Sequence, residues 1–123
     1  MQTEAFVLTQ TGTAKTAFQR QEFSISAPKS AEVLIEVEAF GLNYADVMAR
    51  LGLYREAPPM PCVLGYELVG KIIEVGENAP PQLLGKRVLA FTRFGAYAKH
   101  AITLADAVLE IPEHMHAAQA LPF

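Results

Sequence analysis

Apolar and polar positions alternate along residues 33–40, the clearest periodic segment of the chain. Every second residue on one side is apolar: Val33, Ile35, Val37 and Ala39. The opposite side carries Leu34, Glu36 and Glu38. This period of two predicts a half-buried β-strand with its two glutamates facing solvent.

Similar short segments, separated by turn-forming residues, predict six further strands. They cover residues 5–8, 23–26, 68–75, 87–91, 96–104 and 108–111. Within the segment 68–75, Gly70 has no side chain to pack, so it predicts a bulge or a close approach of another backbone. Many short strands with little helical spacing predict a mostly-β barrel or sandwich.

The period changes after Gly41, where one short helix is predicted. Its apolar residues recur at helical spacing: Tyr44, Val47, Met48 and Leu51. Asn43 is a good N-cap residue and Gly52 a good stop. Prolines at 58, 59 and 61 then predict an extended loop. A second helix is predicted to begin at His114 and run towards Ala120.

Composition and charge narrow the functional classes. The 123 residues are 51% hydrophobic, enough for one domain over residues 1–123 to bury a core. With 13 acidic and 10 basic residues the formal charge is −3, so a nucleic-acid partner is not expected. The single cysteine, Cys62, excludes an internal disulfide and predicts a reducing, cytoplasmic location.

The pattern of metal-ligand residues does not predict a metal site. The soft or imidazole donors are Cys62, His100, His114 and His116, and no C-x-x-C or H-E-x-x-H motif joins them. On a helix, His114 and His116 would point about 200° apart and could not share an ion. The chain also has no G-x-S-x-G motif for a nucleophile and no G-x-G-x-x-G motif for a dinucleotide.

Polar and aromatic residues concentrate between residues 41 and 70, around the predicted helix and the proline loop. Asn43 offers a donor and an acceptor and Tyr54 a phenol, which suits holding a carbonyl or a carboxamide. Loops that converge at one end of a barrel often form ligand sites. The alternative is that Asn43 only caps the helix and that Tyr54 only packs.

An ordered motif over this region carries a family resemblance. Residues 41–54 read Gly-x-Asn-x-x-Asp-x-x-x-Arg-x-Gly-x-Tyr, and residues 65–76 read Gly-x-Glu-x-x-Gly-(five residues)-Gly. The pattern resembles the medium-chain dehydrogenase/reductase superfamily and its quinone-oxidoreductase branch. Residues 41–50 are especially similar to the subgroup that contains the synaptic-vesicle membrane protein homologues. The resemblance extends over essentially the whole chain.

The resemblance implies a GroES-like, partly open β-barrel with one or two short helices. It further implies a catalytic domain of a reductase that uses NADPH to reduce quinones or α,β-unsaturated carbonyl compounds. Relatives carry a second, Rossmann-type domain after the segment that matches residues 121–122, and the full-length proteins usually form homodimers. Residues 1–123 are therefore expected to have no appreciable turnover alone.

The resemblance also assigns the candidate site. Zinc alcohol dehydrogenases have a ligand cysteine at the position of Asn43 and a ligand histidine at that of Tyr66, so a zinc-free site is implied. Asn43 and Tyr54 are the positions implied to line the cleft for nicotinamide and substrate. Supporting roles fall to Asp46, Arg50, Tyr66 and Glu67, and no residue is assigned as the catalytic group.

A rival interpretation is a non-enzymatic binding or membrane-associated interaction module on the same barrel, because a fold does not fix a function. A second rival, a zinc alcohol dehydrogenase, would require bound metal.

Overall fold

The computed structural model describes residues 1–41, 44–53, 59–92 and 94–121. Its strands are β1 (Gln2–Leu8), β2 (Phe18–Ser24), β3 (Glu32–Phe40), β4 (Cys62–Val63), β5 (Glu67–Val75), β6 (Arg87–Phe91), β7 (His100–Leu104) and β8 (Val108–Glu110). Its helices are α1 (Ala14–Ala17), α2 (Tyr44–Arg50) and α3 (Ala117–Ala120), with 3-10 turns at Pro81–Leu83 and Ala105–Ala107. None of these helices is long and apolar enough to span a membrane.

The strands form two antiparallel sheets, one ordered β2-β1-β4 and the other β7-β3-β5-β6-β8. The two edge strands of the larger sheet, β7 and β8, are joined only by the turn Ala105–Ala107. The Thr103 hydroxyl of β7 donates to the Phe91 carbonyl of β6 at 2.6 Å, so the sheet curls back towards itself while staying open. The predicted mostly-β, partly open architecture is confirmed.

The core consists of two apolar clusters. One joins β1 and β4 with Ala17, Ala49 and Tyr97, and the other lies inside the curled five-stranded sheet. Val33 and Ile35 of β3 are fully buried in the second cluster, whereas Glu36 and Glu38 are exposed. The predicted two faces of β3 are therefore confirmed at these positions, whereas Leu34, on the side of the glutamates, is 4% exposed and so buried.

Gly70 of β5 lies close to the backbone of its neighbouring strand, β3. A Cβ at this position would lie 2.4 Å from the Glu36 carbonyl oxygen, closer than any real contact. The pairing of β3 with β5 also shifts register between Val37 and Ala39. The predicted close approach of another backbone at Gly70 is confirmed.

Three sequence predictions differ from the structure. The strand predicted at residues 23–26 is instead β2, which runs from Phe18 to Ser24 because its backbone pairs with β1 along its whole length. Residues 96–99 of the predicted strand 96–104 give only one isolated bridge, between Ala98 and Ala5. The helix predicted from His114 begins only at Ala117.

The helix predicted from His114 fails at the Met115 carbonyl oxygen. In such a helix this oxygen would accept the Gln119 N–H, whereas here it accepts a hydrogen bond from Arg87 and the Gln119 N–H donates to the His116 carbonyl at 2.9 Å. The structure also contains α1 and β4, two short elements that the periodicity did not predict.

Candidate functional site

Asn43 and Tyr54, the two residues implied to line the cleft, lie outside the described residues. The described residues that flank them are the end of β3, helix α2 and the turn before β5. The Gly41 N–H donates to the Glu67 carbonyl at 3.1 Å, which joins the end of β3 to the start of β5. The last described residue before position 42 is therefore held to β5.

Asp46 connects α2 to the turn before β5. Its side chain is buried, with 4% of the residue exposed. One carboxylate oxygen accepts the Gly65 N–H at 3.2 Å, and the other accepts the Tyr97 hydroxyl at 2.9 Å. A buried carboxylate needs such donors, since its desolvation is otherwise costly. Asp46 thus fixes α2 three residues after position 43.

Tyr97, which donates to Asp46, also packs against two phenylalanine rings. Its ring lies 4.6 Å from that of Phe40 and 5.9 Å from that of Phe18, measured between centroids. Burial, followed by the negative charge of Asp46 and the hydrogen bond to it, raises the pKa of Tyr97 well above the ordinary tyrosine range. The phenol therefore remains a neutral hydrogen-bond donor.

Gly65 is required by the geometry of the turn. Its φ of +111° is disfavoured for residues with a side chain, and a Cβ would lie 2.7 Å from Ala96 Cβ and from Tyr97 Cδ1. Its carbonyl accepts the buried Thr92 hydroxyl at 2.7 Å, and the Thr92 N–H donates to the Tyr66 carbonyl at 2.7 Å. The turn is held on both sides.

Arg50 lies at the other end of α2. Its guanidinium donates to the Gly12 carbonyl at 3.3 Å, and the Gly12 N–H donates to the Arg50 carbonyl at 2.9 Å. α2 ends at Arg50, and the predicted stop, Gly52, follows two residues later with a φ of +77° and an N–H that donates to the Ala49 carbonyl at 3.1 Å. The C-terminal end of α2 is therefore held to Gly12.

Tyr66 and Glu67 lie on the Gly65 turn. Tyr66 is half-buried, and its ring lies 5.4 Å from that of Phe94. Glu67 is 6% exposed and opens β5. The structure thus brings three of the supporting residues to the Gly65 turn: Tyr66 and Glu67 lie on it, and Asp46 accepts a hydrogen bond from it. Arg50 lies at the far end of α2. Their supporting roles stay a prediction.

Sequence reasoning missed Tyr97 and Thr92. Tyr97 is 51 residues from Asp46, and Thr92 is 27 residues from Gly65. A pattern of apolar spacing carries no signal for polar pairs so far apart. The motif did single out their partners, Asp46 and Gly65.

Apolar side chains are exposed on α2 and directly after it. Val47 lies on the helix, and Leu51 and Leu53 follow it, with 65% of Leu53 exposed. Groups that bind a flat organic ring are usually of this kind.

Among the described residues, no three His, Cys, Asp or Glu side chains are placed to hold a metal ion. Cys62 is buried in β4, and burial raises the pKa of its thiol. The Nδ1 atom of His100 lies 2.9 Å from the Thr3 hydroxyl oxygen.

Comparison with known proteins identifies this architecture. The family model "Alcohol dehydrogenase GroES-like domain" matches residues 29–113, more than half of the chain. The chain therefore belongs to this family. Its relatives include both groups anticipated from the motif, so the resemblance to the medium-chain dehydrogenase/reductase superfamily and its quinone-oxidoreductase branch is confirmed.

The chain is 35% identical over 104 residues to human synaptic vesicle membrane protein VAT-1 homolog, covering 85% of this chain and 26% of that protein. It is 34% identical to human quinone oxidoreductase, covering 78% of this chain and 30% of the relative. It therefore spans between a quarter and a third of the length of these two curated relatives.

Solved structures agree with this assignment. The human VAT-1 homolog-like protein superposes with a TM-score of 0.89 at 31% identity, covering 98% of this chain and 38% of that one. Escherichia coli quinone oxidoreductase, solved in complex with NADPH, superposes with a TM-score of 0.85 at 29% identity, covering 95% and 36%.

Proposed function

We propose that this chain is the substrate-side domain of an oxidoreductase that uses NADPH to reduce quinones or α,β-unsaturated carbonyl compounds. The observation that carries the proposal is the superposition on a quinone oxidoreductase solved with NADPH, which covers 95% of this chain. The arrangement around Asp46 supports it, because it joins α2 to the Gly65 turn and to Tyr97.

The described residues fit one end of this cofactor. The exposed apolar side chains of Val47, Leu51 and Leu53 suit contact with a flat nicotinamide or quinone ring and exclude water from it. The chain has no glycine-rich turn of the kind that binds a pyrophosphate. We therefore assign the ring end of the cofactor to this domain and its phosphates to a further domain.

The bound cofactor would supply the hydride. The residues of this chain therefore have to bind the nicotinamide and the substrate and orient them. Asn43 is the residue we assign to a carbonyl or carboxamide, since its amide both donates and accepts hydrogen bonds. Asp46 and Tyr97 act indirectly, because they fix the helix that follows position 43. Correct placement of reacting groups is itself a large part of catalysis.

We propose that the reaction needs no zinc. The amide of Asn43 and the phenol of Tyr66 are poor zinc donors compared with the thiolate and imidazole that zinc sites use. A stoichiometric zinc signal in elemental analysis of the purified chain would overturn this part of the proposal.

We further propose that the complete protein contains a nucleotide-binding domain, forms a homodimer and is cytoplasmic. The short span of the curated relatives that the chain covers supports the first point. On this proposal residues 1–123 have no appreciable turnover alone, because the pyrophosphate has no site in them.

The test is an NMR titration of the labelled chain with nicotinamide and, separately, with a benzoquinone. We expect shifts at Val47, Leu53 and Gly65, and we expect Asn43→Ala to reduce the shifts produced by nicotinamide. Lys71→Ala, an exposed change on β5, serves as the matched control. Shifts confined to the smaller sheet would contradict the proposed site, and turnover of NADPH with benzoquinone by the isolated chain would contradict the assignment of the phosphates.

The second candidate is a binding module that associates with membranes. The observation that favours it is the 35% identity to the human synaptic vesicle membrane protein VAT-1 homolog. Sedimentation with lipid vesicles, together with an absence of ring-specific shifts in the titration, would favour this function over the reductase.

A further inference from the structure

The Arg87 side chain connects three parts of the domain that are distant in sequence. It starts on β6 and is 11% exposed. Its Nε and Nη2 atoms donate to the two carboxylate oxygens of Glu38 on β3, both at 2.9 Å. Two parallel bonds of this kind are the strongest form of an arginine–carboxylate pair and fix its orientation.

The remaining terminal nitrogen of Arg87 faces the segment after β8. Nη1 donates to the carbonyl oxygens of Pro112 and Glu113, each at 3.2 Å, and to that of Met115. The Arg87 backbone adds another bond, because its carbonyl accepts the Ile111 N–H at 2.9 Å. One residue therefore fixes the course of residues 111–115, the segment that leads to α3.

Glu38 relates this segment to the candidate site. It lies on β3 two residues before Phe40. The centroid of the Phe40 ring lies 4.6 Å from that of Tyr97, with the two rings tilted by 31°. Tyr97 in turn donates to Asp46. The carboxylate that orients Arg87 is thus on the strand that ends at the site.

We propose that Arg87 is a positioning residue that sets the path of residues 111–115 relative to the end of β3, and thereby to the candidate site. In the proposed reductase this segment would lead towards the nucleotide-binding domain, and that consequence rests on the proposed function. The positioning within the present chain does not.

The geometry explains why arginine is needed. A guanidinium presents five N–H donors in a planar fork, so it can bind a carboxylate on one side and carbonyl oxygens on the other. A lysine ammonium is a point charge without this fork, and it cannot fix both partners at once. Arg87→Lys keeps the charge and tests the fork.

The neighbouring Lys86 provides a matched control. It forms an ion pair with Glu110 at 3.5 Å, and both side chains are about half exposed. Exposed pairs of this kind contribute little. Lys86→Gln changes the charge next to Arg87 but leaves the contacts of its side chain with β3 and the 111–115 segment.

The experiment is amide hydrogen exchange on the 123-residue chain, comparing wild type with Arg87→Gln, Arg87→Lys, Glu38→Gln and Lys86→Gln. We expect amides of residues 111–121 to exchange at least about tenfold faster in both Arg87 variants. Glu38→Gln should show a smaller increase in the same segment. Exchange in β1 and β2 should stay at the wild-type rate, and Lys86→Gln should resemble wild type throughout.

Three results would overturn the proposal. Arg87→Lys could restore wild-type exchange, which would mean that charge alone suffices. Exchange could rise equally in both sheets, which would indicate only lost global stability. Residues 111–121 could also be unaffected in Glu38→Gln and Arg87→Lys, the two milder variants. Because no cofactor or substrate is involved, the result is independent of whether the reductase proposal holds.

Discussion

Asp46 is a carboxylate that the fold removes from water and gives two neutral donors, the Gly65 N–H and the Tyr97 hydroxyl. The two donors come from the turn before β5 and from the loop before β7. A single side chain of α2 therefore holds together two loops of the candidate site. Its removal should affect the stability of the domain and the position of α2 together.

We expect Asp46→Asn to lower the free energy of unfolding by about 1–3 kcal/mol, because the carboxamide nitrogen would replace an acceptor and face a donor. Urea unfolding measures the change. The only other aspartate, Asp106, is exposed on the turn Ala105–Ala107, and Asp106→Asn is the matched control with an expected change near zero. Equal effects of the two variants would contradict the role of Asp46.

Tyr97 should ionise only at a pH above the ordinary tyrosine range. Its folded pKa lies above the unfolded value of about 10, so the native state favours the protonated phenol. The stability from this group is fully present below pH 10 and is lost as the pH rises towards the folded pKa. Ultraviolet titration of the phenolates should show one tyrosine that ionises only with unfolding, and Tyr97→Phe should remove that step. A normal titration of all tyrosines would refute the burial of this phenol.

The elements differ in how far the sequence determines them. β3 follows from apolar alternation, because Val33 and Ile35 pack into the core while Glu36 and Glu38 face solvent, and β5 follows from its run of apolar residues. α2 follows from its apolar spacing and from Gly52, whose left-handed backbone ends the helix. The family motif, rather than periodicity, pointed to Asp46 and Gly65, and it placed Asn43 and Tyr54 in the cleft, where they stay a prediction.

Other elements depend on partners that periodicity does not register. β2 is polar and almost fully exposed, and it is a strand because its backbone pairs with β1. The segment before α3 contacts Arg87, which donates hydrogen bonds to its carbonyl oxygens. Tyr97 reaches Asp46 across 51 residues. Each of these features is decided by a contact that is distant in sequence.

The close approach of β3 to β5 at Gly70 can be tested by a substitution. In Gly70→Ala the new methyl group would lie 2.4 Å from the Glu36 carbonyl oxygen, so one strand must move. We expect a loss of about 3 kcal/mol in the free energy of unfolding, typical of overpacking a rigid backbone contact. Lys71→Ala, on the exposed neighbour in β5, should change stability by less than about 1 kcal/mol. A fully stable Gly70→Ala would show that the two strands are not held this closely.

At the scale of the whole molecule, two ion-pair clusters join residues that are distant in sequence. Glu4 of β1 contacts Arg20 at 2.6 Å and Lys99 at 3.6 Å, and Glu38 of β3 contacts Arg87 of β6. The hydrogen bond from Arg20 holds the pKa of Glu4 below its ordinary value of 4.5, and that from Arg87 does the same for Glu38. Both carboxylates therefore favour the folded state when they are ionised.

Because both folded pKa values are lowered, their stabilisation is fully present above pH 4.5 and is lost as the pH falls through the folded values. The urea midpoint should decline below about pH 4.5. Added salt should make this decline with pH smaller, since exposed charges are screened. Glu38→Gln should flatten the decline and should also release residues 111–121 at neutral pH, where the wild type holds them. Glu4→Gln should flatten the decline without that release, because Glu4 has no contact with Arg87. An identical exchange pattern in the two variants would show that the Glu38 pair contributes charge alone and does not fix the path of the chain beyond β8.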